Sequence, residues 1–346
     1  MASPMTVAGR TPLNLTAKDF KSDQEVRWCP GCGDYAILAA VQQFMPELNI
    51  PRENIVFISG IGCSSRFPYY MNTYGMHSIH GRAPAIATGL SATRPDLSVW
   101  VVTGDGDALS IGGNHLIHAL RRNVNLKILL FNNRIYGLTK GQYSPTSEIG
   151  KITKSTPAGS ADSPFNPLSL ALGAEATFVA RTIDSDRKHL QSVLRAAAGH
   201  QGSAFVEIYQ NCNIFNDGAF ELVKDSETRD DHLIRLEQGQ PITFGKENQY
   251  SVIHPEGSFG LKVVEGSDHA MVHDATVDDP AYAFALSRLS GSDLNTTPIG
   301  VFRSVQRPSY DEIIQKQLVD ARTKTTGTPE QMLDGLLNSG DTWTIL

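Results

Sequence analysis

Short apolar runs rich in β-branched residues alternate with stretches of helical apolar spacing over the first two thirds of the chain. The apolar runs predict buried strands at residues 54–59, 98–103, 127–131, 176–181 and 204–209. Apolar positions three and four residues apart predict helices at residues 34–48, 108–123, 166–173 and 186–198, and a helix of small residues that ends at 92. This alternation of strands and helices predicts an α/β fold with a doubly wound, mainly parallel sheet.

The two ends of the chain differ in composition and apolar periodicity from the part between them. Residues 1–27 are polar and predict an extended N-terminal arm, and residues 28–223 carry the alternating pattern. Residues 224–346 are acidic and glycine-rich, and they predict a C-terminal extension that packs on the main domain, with one helix at 309–322. A polar loop at 136–165 is so long that we expect it to be functional.

The composition of the 346-residue chain restricts the classes of partner. Basic residues number 30 and acidic residues 36, which gives a net charge of -6, and the basic residues form no stripe. We therefore expect neither nucleic acid nor a membrane as a partner. Because no apolar run reaches the length of a bilayer and the first residues lack the apolar core of a signal peptide, we expect a cytoplasmic protein.

Polar groups follow two of the predicted strands. A Gly-Asp-Gly-Asp sequence at 104–107 follows the strand at 98–103, and an Asn-Asn pair at 132–133 follows the strand at 127–131. Because parallel strands joined by a crossover helix end at the same edge of a sheet, these groups are expected to meet. Carboxylate and carboxamide oxygens suit Mg²⁺, and glycines let the backbone approach phosphate. The spacing therefore predicts a site for magnesium and a diphosphate.

Two other interpretations of this motif remain. A nicotinamide or flavin site would have Gly-x-Gly-x-x-Gly and an acidic residue about 20 positions later. The chain has Leu109 in place of the third glycine, and the Asn-Asn pair stands at the end of the second strand. The other alternative is a plain glycine turn in an α/β core.

The four cysteines stand at positions that the predicted sheet brings together. Cys29 and Cys32 begin a helix, Cys63 follows the first strand and Cys212 follows the last. Four thiolates bind zinc or an iron–sulfur cluster, and the identity of the ligands does not separate these two. A thioredoxin-like redox site, a zinc ribbon and buried inert thiols are the alternatives. The first lacks a preceding buried strand and the second lacks another close cysteine pair.

These motifs resemble those of known enzymes. Gly-Asp-Gly followed at this interval by Asn-Asn is similar to the signature of thiamine-diphosphate enzymes, and the resemblance implies that Asp105, Asn133 and the backbone carbonyl of Ile135 bind Mg²⁺. Cys-Pro-Gly-Cys-Gly, Ile-Gly-Cys-Ser, the Gly-Asp-Gly-Asp motif and a lone cysteine after the last strand, in this order, resemble the β subunit of 2-oxoacid:ferredoxin oxidoreductases. The resemblance covers residues 28–223.

The resemblance to these β subunits implies further site residues. Cys29, Cys32, Cys63 and Cys212 would bind one 4Fe-4S cluster. The thiamine diphosphate would be lined by Ile61, Gly62, Cys63, Ser64, Gly104, Gly106, Asp107, Gly137, Leu138 and Thr139. Arg66 would lie near the substrate carboxylate or be a solvated arginine, and His80 would contact the coenzyme, transfer a proton or be structural.

The function implied by the resemblance is oxidative decarboxylation of a 2-oxo acid. The sequence is most similar to the 2-oxoglutarate branch, which converts 2-oxoglutarate, CoA and oxidised ferredoxin into succinyl-CoA, CO₂ and reduced ferredoxin. A pyruvate or broad 2-oxo acid range is an alternative, as are a non-redox thiamine-diphosphate decarboxylase with structural zinc and an electron carrier without coenzyme. The domain that binds the pyrimidine ring is absent from the pattern, so we expect an obligate α subunit and an α2β2 or similar assembly.

Overall fold

The computed structural model describes residues 13–258, 260–324 and 327–345. The strands, in chain order, are β1 (Ile55–Ser59), β2 (Tyr74–His77), β3 (Ser98–Gly104), β4 (Lys127–Asn132), β5 (Phe178–Ile183), β6 (Ala204–Tyr209), β7 (Leu233–Leu236), β8 (Thr243–Phe244), β9 (Tyr250–Ile253), β10 (Lys262–Glu265) and β11 (Thr297–Ser304). The helices are α1 (Asp34–Phe44), α2 (Phe67–Tyr70), α3 (Ala83–Thr93), α4 (Gly113–Arg121), α5 (Pro167–Gly173), α6 (Arg187–Gly199), α7 (Glu221–Lys224), α8 (Arg229–His232), α9 (Pro280–Ser287), α10 (Tyr310–Lys324) and α11 (Pro329–Leu337).

Eight strands form one sheet in the order β2-β1-β3-β4-β6-β5-β11-β7. Neighbouring strands are parallel except for β11, which runs antiparallel to β5. Gly104 at the end of β3 pairs with Phe131, and Asn132 at the end of β4 pairs with Tyr209. The expected doubly wound, mainly parallel sheet is confirmed, and the strands that precede the predicted motifs end at one edge.

Side chains alternate between the two faces of the sheet, and helices cover both faces. In β3, Val99 and Val101 belong to one buried apolar cluster, and Trp100 and Val102 belong to the other. Helices α3 and α4 cover the first face, and α1 and α6 cover the second. Both faces of the central strands are therefore removed from water, which explains why these strands are continuous apolar runs in the sequence.

Two of the predicted helices differ from the observed ones. Helix α1 ends at Phe44 and continues as a 3₁₀ turn at Met45–Leu48, where Pro46 has no N–H to donate. The predicted helix at 108–123 begins with a π-helical turn, Asp107–Ile111, before α4. Within that turn the N–H of Gly112 donates to the carbonyl of Asp107, five residues earlier, over 3.1 Å. Such turns are frequent at functional sites, and this one begins at the predicted diphosphate motif.

The segment after residue 223 adds to the main sheet. Strands β7 and β11 form its last two positions, and β8, β9 and β10 form a separate three-stranded antiparallel sheet. The division of the chain at residues 27 and 223 stays a prediction. Of the predicted N-terminal arm, residues 1–12 lie outside the described residues, and Phe20 is fully buried against the core. Across the residues that the structure describes, every helix is too short or too polar to cross a membrane.

Candidate cofactor and cluster site

A cleft of about 120 Å³ lies at the carboxyl edge of the sheet, where β1, β3 and β4 end. Its wall consists of Ile61, Gly62, Cys63, Ser64, His80, Gly104, Asp105, Gly106, Asp107, Phe131, Asn133, Ile135, Tyr136, Gly137, Leu138 and Thr139. Every residue that the sequence assigned to magnesium or to the coenzyme lines this cleft. The structure thus brings together segments that are far apart in the chain, as a shared strand edge requires.

Asp107 holds three segments around the cleft in place through hydrogen bonds. Its side chain is buried, and Oδ1 accepts hydrogen bonds from the backbone N–H of Ile61 at 3.0 Å and of Gly81 at 2.7 Å. Its Oδ2 accepts from the hydroxyl of Thr103 at 2.6 Å. Both carboxylate oxygens therefore have partners within the protein. The predicted contact of Asp107 with the coenzyme stays a prediction, and what the structure shows is a residue that positions the loops of the cleft.

His80 lies on the cleft wall with one ring nitrogen engaged. Its Nδ1 hydrogen bonds to Oδ1 of Asp107, and its side chain is 35% exposed. Because Asp107 accepts from two backbone N–H groups as well, the proton of this hydrogen bond belongs to Nδ1. The other ring nitrogen, Nε2, has no hydrogen-bond partner in the described part of the chain and is left for a partner in the cleft. This geometry fits the predicted proton transfer or coenzyme contact.

Gly106 is a glycine because the ring of Tyr136 lies against it. A Cβ atom at position 106 would be 2.1 Å from Cε1 of Tyr136, and the phenol donates to the carbonyl of Gly106 at 3.0 Å. Tyr136 lies at the start of the loop at 136–165, and the resemblance implied that residues 136–139 line the coenzyme. The flat ring and the bare backbone together form one wall of the cleft.

Asp105 is a buried carboxylate whose nearest partners are hydroxyl groups. Its Oδ2 lies 2.5 Å from Oγ of Ser144 and 2.6 Å from Oγ1 of Thr146. Burial raises the pKa of Asp105 to about 6, and no Lys, Arg or His in the described ranges forms an ion pair with it. A cation beside it would offset the desolvation of the charge. Asp105 therefore fits the predicted role of a metal ligand.

Asn133 lies beside Asp105 in the cleft wall. Its Oδ1 accepts from the backbone N–H of Ile135 at 3.1 Å, a bond that holds the turn after β4 in shape. Sequence reasoning missed Ser144 and Thr146, which come from the long loop and contact Asp105. The only signal for them was the length and polarity of that loop, since hydroxyl residues are common in any loop.

Two distant loops meet around the cysteines. The backbone N–H of Gly33 donates to the carbonyl of Asn211 at 3.1 Å, and Nδ2 of Asn213 donates to the carbonyl of Pro30 at 2.6 Å. These bonds fasten the loop of Cys29 and Cys32 to the segment that contains Cys212. On the other side, the indole N–H of Trp28 donates to the carbonyl of Cys63 at 2.7 Å. The four cysteine-bearing segments are thus joined by hydrogen bonds to backbone carbonyls.

The thiols themselves are close enough to affect one another. A Cβ at position 137 would lie 3.4 Å from Sγ of Cys63 and 3.6 Å from Sγ of Cys212. Burial, together with the nearby Asp34 and the thiols of Cys212 and Cys29, raises the pKa of Cys63 to about 12. Burial also raises the pKa of Cys32 above its usual range, as do the neighbouring Asp34, Cys212 and Cys63. A positively charged metal group would stabilise these thiolates.

Thiols are the ligands that a metal group at this site would use. Within the described ranges, no three side chains of His, Cys, Asp or Glu converge as ligands of a single metal ion would. Thiolates bind both zinc and iron–sulfur clusters. The predicted cluster therefore stays a prediction.

Arg66 does not line the cleft. Its Nε donates to the hydroxyl of Tyr70 at 3.0 Å, and the ring of Tyr70 lies 4.8 Å from the ring of Trp28. These contacts link Arg66 to the segment before Cys29, and its charge acts to lower the pKa of Cys63. A contact of Arg66 with the substrate carboxylate stays a prediction.

Comparison with known proteins agrees with this geometry. The family described as "Thiamine pyrophosphate enzyme, C-terminal TPP binding domain" matches residues 60–208. The chain is 65% identical over 333 residues to "2-oxoglutarate oxidoreductase subunit KorB" of Mycobacterium tuberculosis, a match that covers 95% of this chain and 88% of that protein. The chain belongs to the β subunits of the 2-oxoacid:ferredoxin oxidoreductase family. The resemblance that the sequence motifs indicated is confirmed, as is a domain for thiamine diphosphate.

Other members of the family match less of the chain. "2-oxoacid:ferredoxin oxidoreductase 1, subunit beta" of Aeropyrum pernix is 45% identical over 210 residues, which covers 61% of this chain and 64% of that one. A solved structure, "2-oxoglutarate:ferredoxin oxidoreductase from Magnetococcus marinus with 2-oxoglutarate, coenzyme A and succinyl-CoA bound", is 35% identical with a TM-score of 0.74. This likeness covers 93% of the present chain and 96% of the other, so it extends over the C-terminal strands as well.

Proposed function

We propose that this β subunit, together with an α subunit, catalyses the oxidative decarboxylation of 2-oxoglutarate. One 2-oxoglutarate, one CoA and two oxidised ferredoxins give succinyl-CoA, CO₂, two reduced ferredoxins and one proton. The substrate loses two electrons, each ferredoxin gains one, and the proton comes from the CoA thiol. The choice of 2-oxoglutarate is supported by the names of the relatives from Mycobacterium tuberculosis and Magnetococcus marinus.

The position of Cys63 carries this proposal. Cys63 lines the cleft beside Gly62 and Ser64, and its thiol also lies near Cys212 and Cys29. One residue therefore belongs both to the predicted coenzyme site and to the predicted cluster site. Electrons need only cross a short distance between two such neighbouring groups, whereas a decarboxylase without redox chemistry has no need for this adjacency.

The chain's own residues would hold the coenzyme as follows. Asp105, Asn133 and the carbonyl of Ile135 would bind Mg²⁺, which in turn would bind the diphosphate. The backbone at Gly104 and Gly106 would lie close to the phosphate oxygens, since neither residue has a side chain in the way. The bound thiamine would serve as the electron sink for decarboxylation, and the protein would supply position and exclude water.

The cysteines would hold one 4Fe-4S cluster that passes electrons to ferredoxin. Cys29 is exposed, while Cys212 is buried next to the cleft, so the four ligands extend from the inside of the protein to its surface. A surface cavity of about 480 Å³ opens beside Cys32. A small electron carrier that docks at this surface would approach the cluster on the side away from the coenzyme.

A partner subunit is part of the proposal because exposed apolar side chains lie in the cleft wall or next to it in the chain. Ile61 is 45% exposed, Ile79 is 76% exposed and Leu138 is 47% exposed. An α subunit that covers these residues would bury them, and it would complete the coenzyme site by binding the pyrimidine ring. An α2β2 assembly is the arrangement we expect.

Anaerobic purification of the complex with its α subunit tests the proposal. We expect iron, acid-labile sulfide, thiamine diphosphate and magnesium, with about four irons per β subunit. Asp105→Asn should lose magnesium and coenzyme while keeping iron, and Cys212→Ser should lose iron while keeping the coenzyme. Zinc in place of iron in the native complex would contradict the redox function. Faster turnover of pyruvate than of 2-oxoglutarate would contradict the proposed substrate.

A further inference from the structure

Gln210 reaches one of the predicted cluster ligands with its side chain. It is 1% exposed, it follows β6, and its backbone N–H donates to the carbonyl of Asn132 at 2.9 Å. The side-chain Nε2 lies 3.2 Å from Sγ of Cys32. The residue thus connects the strand end that carries the Asn-Asn pair with the cysteine loop.

The orientation of the amide is fixed by a second contact. Nε2 also donates to the backbone carbonyl of Asn211 at 2.6 Å. If the amide were turned around, Oε1 would face that carbonyl, and two acceptors would repel each other. The N–H groups therefore face Asn211 and Cys32, and Oε1 is left buried without a hydrogen-bond partner in the described parts of the chain. Both N–H groups of the Gln210 amide therefore have acceptors, while its Oε1 has no donor among the described residues.

We infer that Gln210 donates an N–H···S hydrogen bond that sets the reduction potential of the cluster. This inference rests on the cluster assigned under the proposed function and adds a residue that is not a ligand. Hydrogen bonds to the sulfur atoms of an iron–sulfur cluster stabilise the more negative, reduced state. Because Gln210 is also attached to the end of β4 beside the coenzyme, it holds this donor in a fixed place.

A substitution that removes only the donor tests this role. Gln210→Met keeps the length and the unbranched shape of the side chain and has no N–H. We expect the complex to retain iron and sulfide, and the equilibrium constant for one-electron reduction to fall by up to about tenfold, which corresponds to a potential about 59 mV more negative. The readout is the midpoint potential in a redox titration followed by electron paramagnetic resonance.

Gln42 offers a matched control. It is 5% exposed, and its Nε2 donates to the carbonyl of Tyr70 at 3.0 Å rather than to sulfur. Gln42→Met removes a buried amide in the same way, so we expect it to leave the potential at the native value. An equal negative shift in both variants would show a general loosening of the fold and would overturn the role of Gln210, as would a fully loaded Gln210→Met with the native potential.

A measurement on the unsubstituted protein covers the case in which Gln210→Met loses its cluster. With ¹⁵N in the glutamine side chains, the reduced cluster should show hyperfine coupling to one nitrogen, because Nε2 of Gln210 is 3.2 Å from a ligand sulfur. Absence of this coupling in a reduced, iron-loaded complex would overturn the inference. A native complex free of iron would instead contradict the cluster itself and so the proposed function.

Discussion

Nδ1 of His80 is hydrogen bonded to Oδ1 of Asp107 in the wall of the cleft. The same oxygen accepts the backbone N–H of Ile61 and of Gly81, so the histidine ring is held in a fixed direction by the residue that also fixes the surrounding loops. The pair therefore combines a structural role with a ring nitrogen, Nε2, that has no hydrogen-bond partner among the described residues. A substitution that separates these two roles decides which of them the enzyme needs.

His80→Asn makes this separation. The shorter amide still has an N–H group for Asp107, but it lacks the second ring nitrogen that faces the cleft. If His80 transfers a proton, kcat should fall by about a hundredfold or more, while Tm and coenzyme affinity stay near the native values. The control is His80→Ala, which also leaves Asp107 without its partner and should lower Tm. Native kcat in His80→Asn would contradict a catalytic role.

Gly106→Ala should disrupt the coenzyme site. The added Cβ would lie 2.1 Å from a ring carbon of Tyr136, so the ring has to move away from the cleft wall. We expect at least a tenfold loss of thiamine-diphosphate affinity, measured by calorimetry on the complex. Gly89→Ala in α3 is the control, because a Cβ there meets nothing within 4 Å. That change should raise stability by about 0.5–1 kcal/mol, as alanine favours a helix interior over glycine.

Thr146 should matter for magnesium although it is not a predicted ligand. Its hydroxyl lies 2.6 Å from Oδ2 of Asp105 and 2.9 Å from Oδ1 of Asn132, so it holds the carboxylate toward the end of β4. Thr146→Val keeps the shape and removes the hydroxyl. We expect a 10- to 100-fold loss of apparent affinity for Mg²⁺ in the presence of the coenzyme, the usual effect of removing such a supporting contact.

The control for Thr146 comes from the same loop. Thr153 contacts Ser155 at 3.2 Å and makes no hydrogen bond to Asp105. Thr153→Val should therefore leave the affinity for Mg²⁺ unchanged. Equal losses in the two variants would indicate that the loop as a whole has become unstable, and an unchanged affinity in Thr146→Val would show that Asp105 needs no such support.

The sequence was informative where one local rule decides the structure. The strands that precede the motifs are apolar runs because both faces are buried, and their shared carboxyl edge follows from the crossover helices. Strand β11 was missed because Pro298 and Gly300 interrupt its pattern, although Gly300 has φ of 122° and lies against the backbone of Leu236. Strand β2 was missed since all of its residues are exposed, so no apolar alternation marks it.

The sequence allowed us to predict which residues line the candidate site, but not which hydrogen bonds their side chains make. Motif residues at strand ends must line the cleft, which is why Asp105 and Asn133 were placed correctly at one edge. The partners of Asp107 and Asp105 come from loops whose path depends on tertiary packing, and the sequence holds no periodic signal for them. Arg66 lies close after the Ile-Gly-Cys-Ser motif in the chain, and its guanidinium is directed toward Tyr70. Side-chain packing determines this direction, and the sequence motif does not reveal it.

His200 should make the protein less stable in acid. It is 3% exposed, and burial, together with the nearby charge of Lys127, lowers its pKa to about 4. The hydroxyl of Thr177 donates to Oδ1 of Asn123 at 2.7 Å, so it accepts from Nε2 of His200, also at 2.7 Å. Nδ1 is buried without a partner among the described residues, and a proton there would add an unpaired buried charge.

The sign of the effect follows from the two pKa values. Between pH 6.5 and 4 the unfolded chain binds a proton at His200 and the folded chain does not, so the free energy of unfolding falls as the pH is lowered. The slope approaches about 1.4 kcal/mol per pH unit for this one group.

His200→Gln keeps a donor for Thr177 and cannot titrate, so its stability should fall less steeply in urea titrations between pH 7 and 4. His269→Gln, at an exposed histidine, should follow the native curve, and identical slopes in all three proteins would show that His200 is not a source of the acid sensitivity.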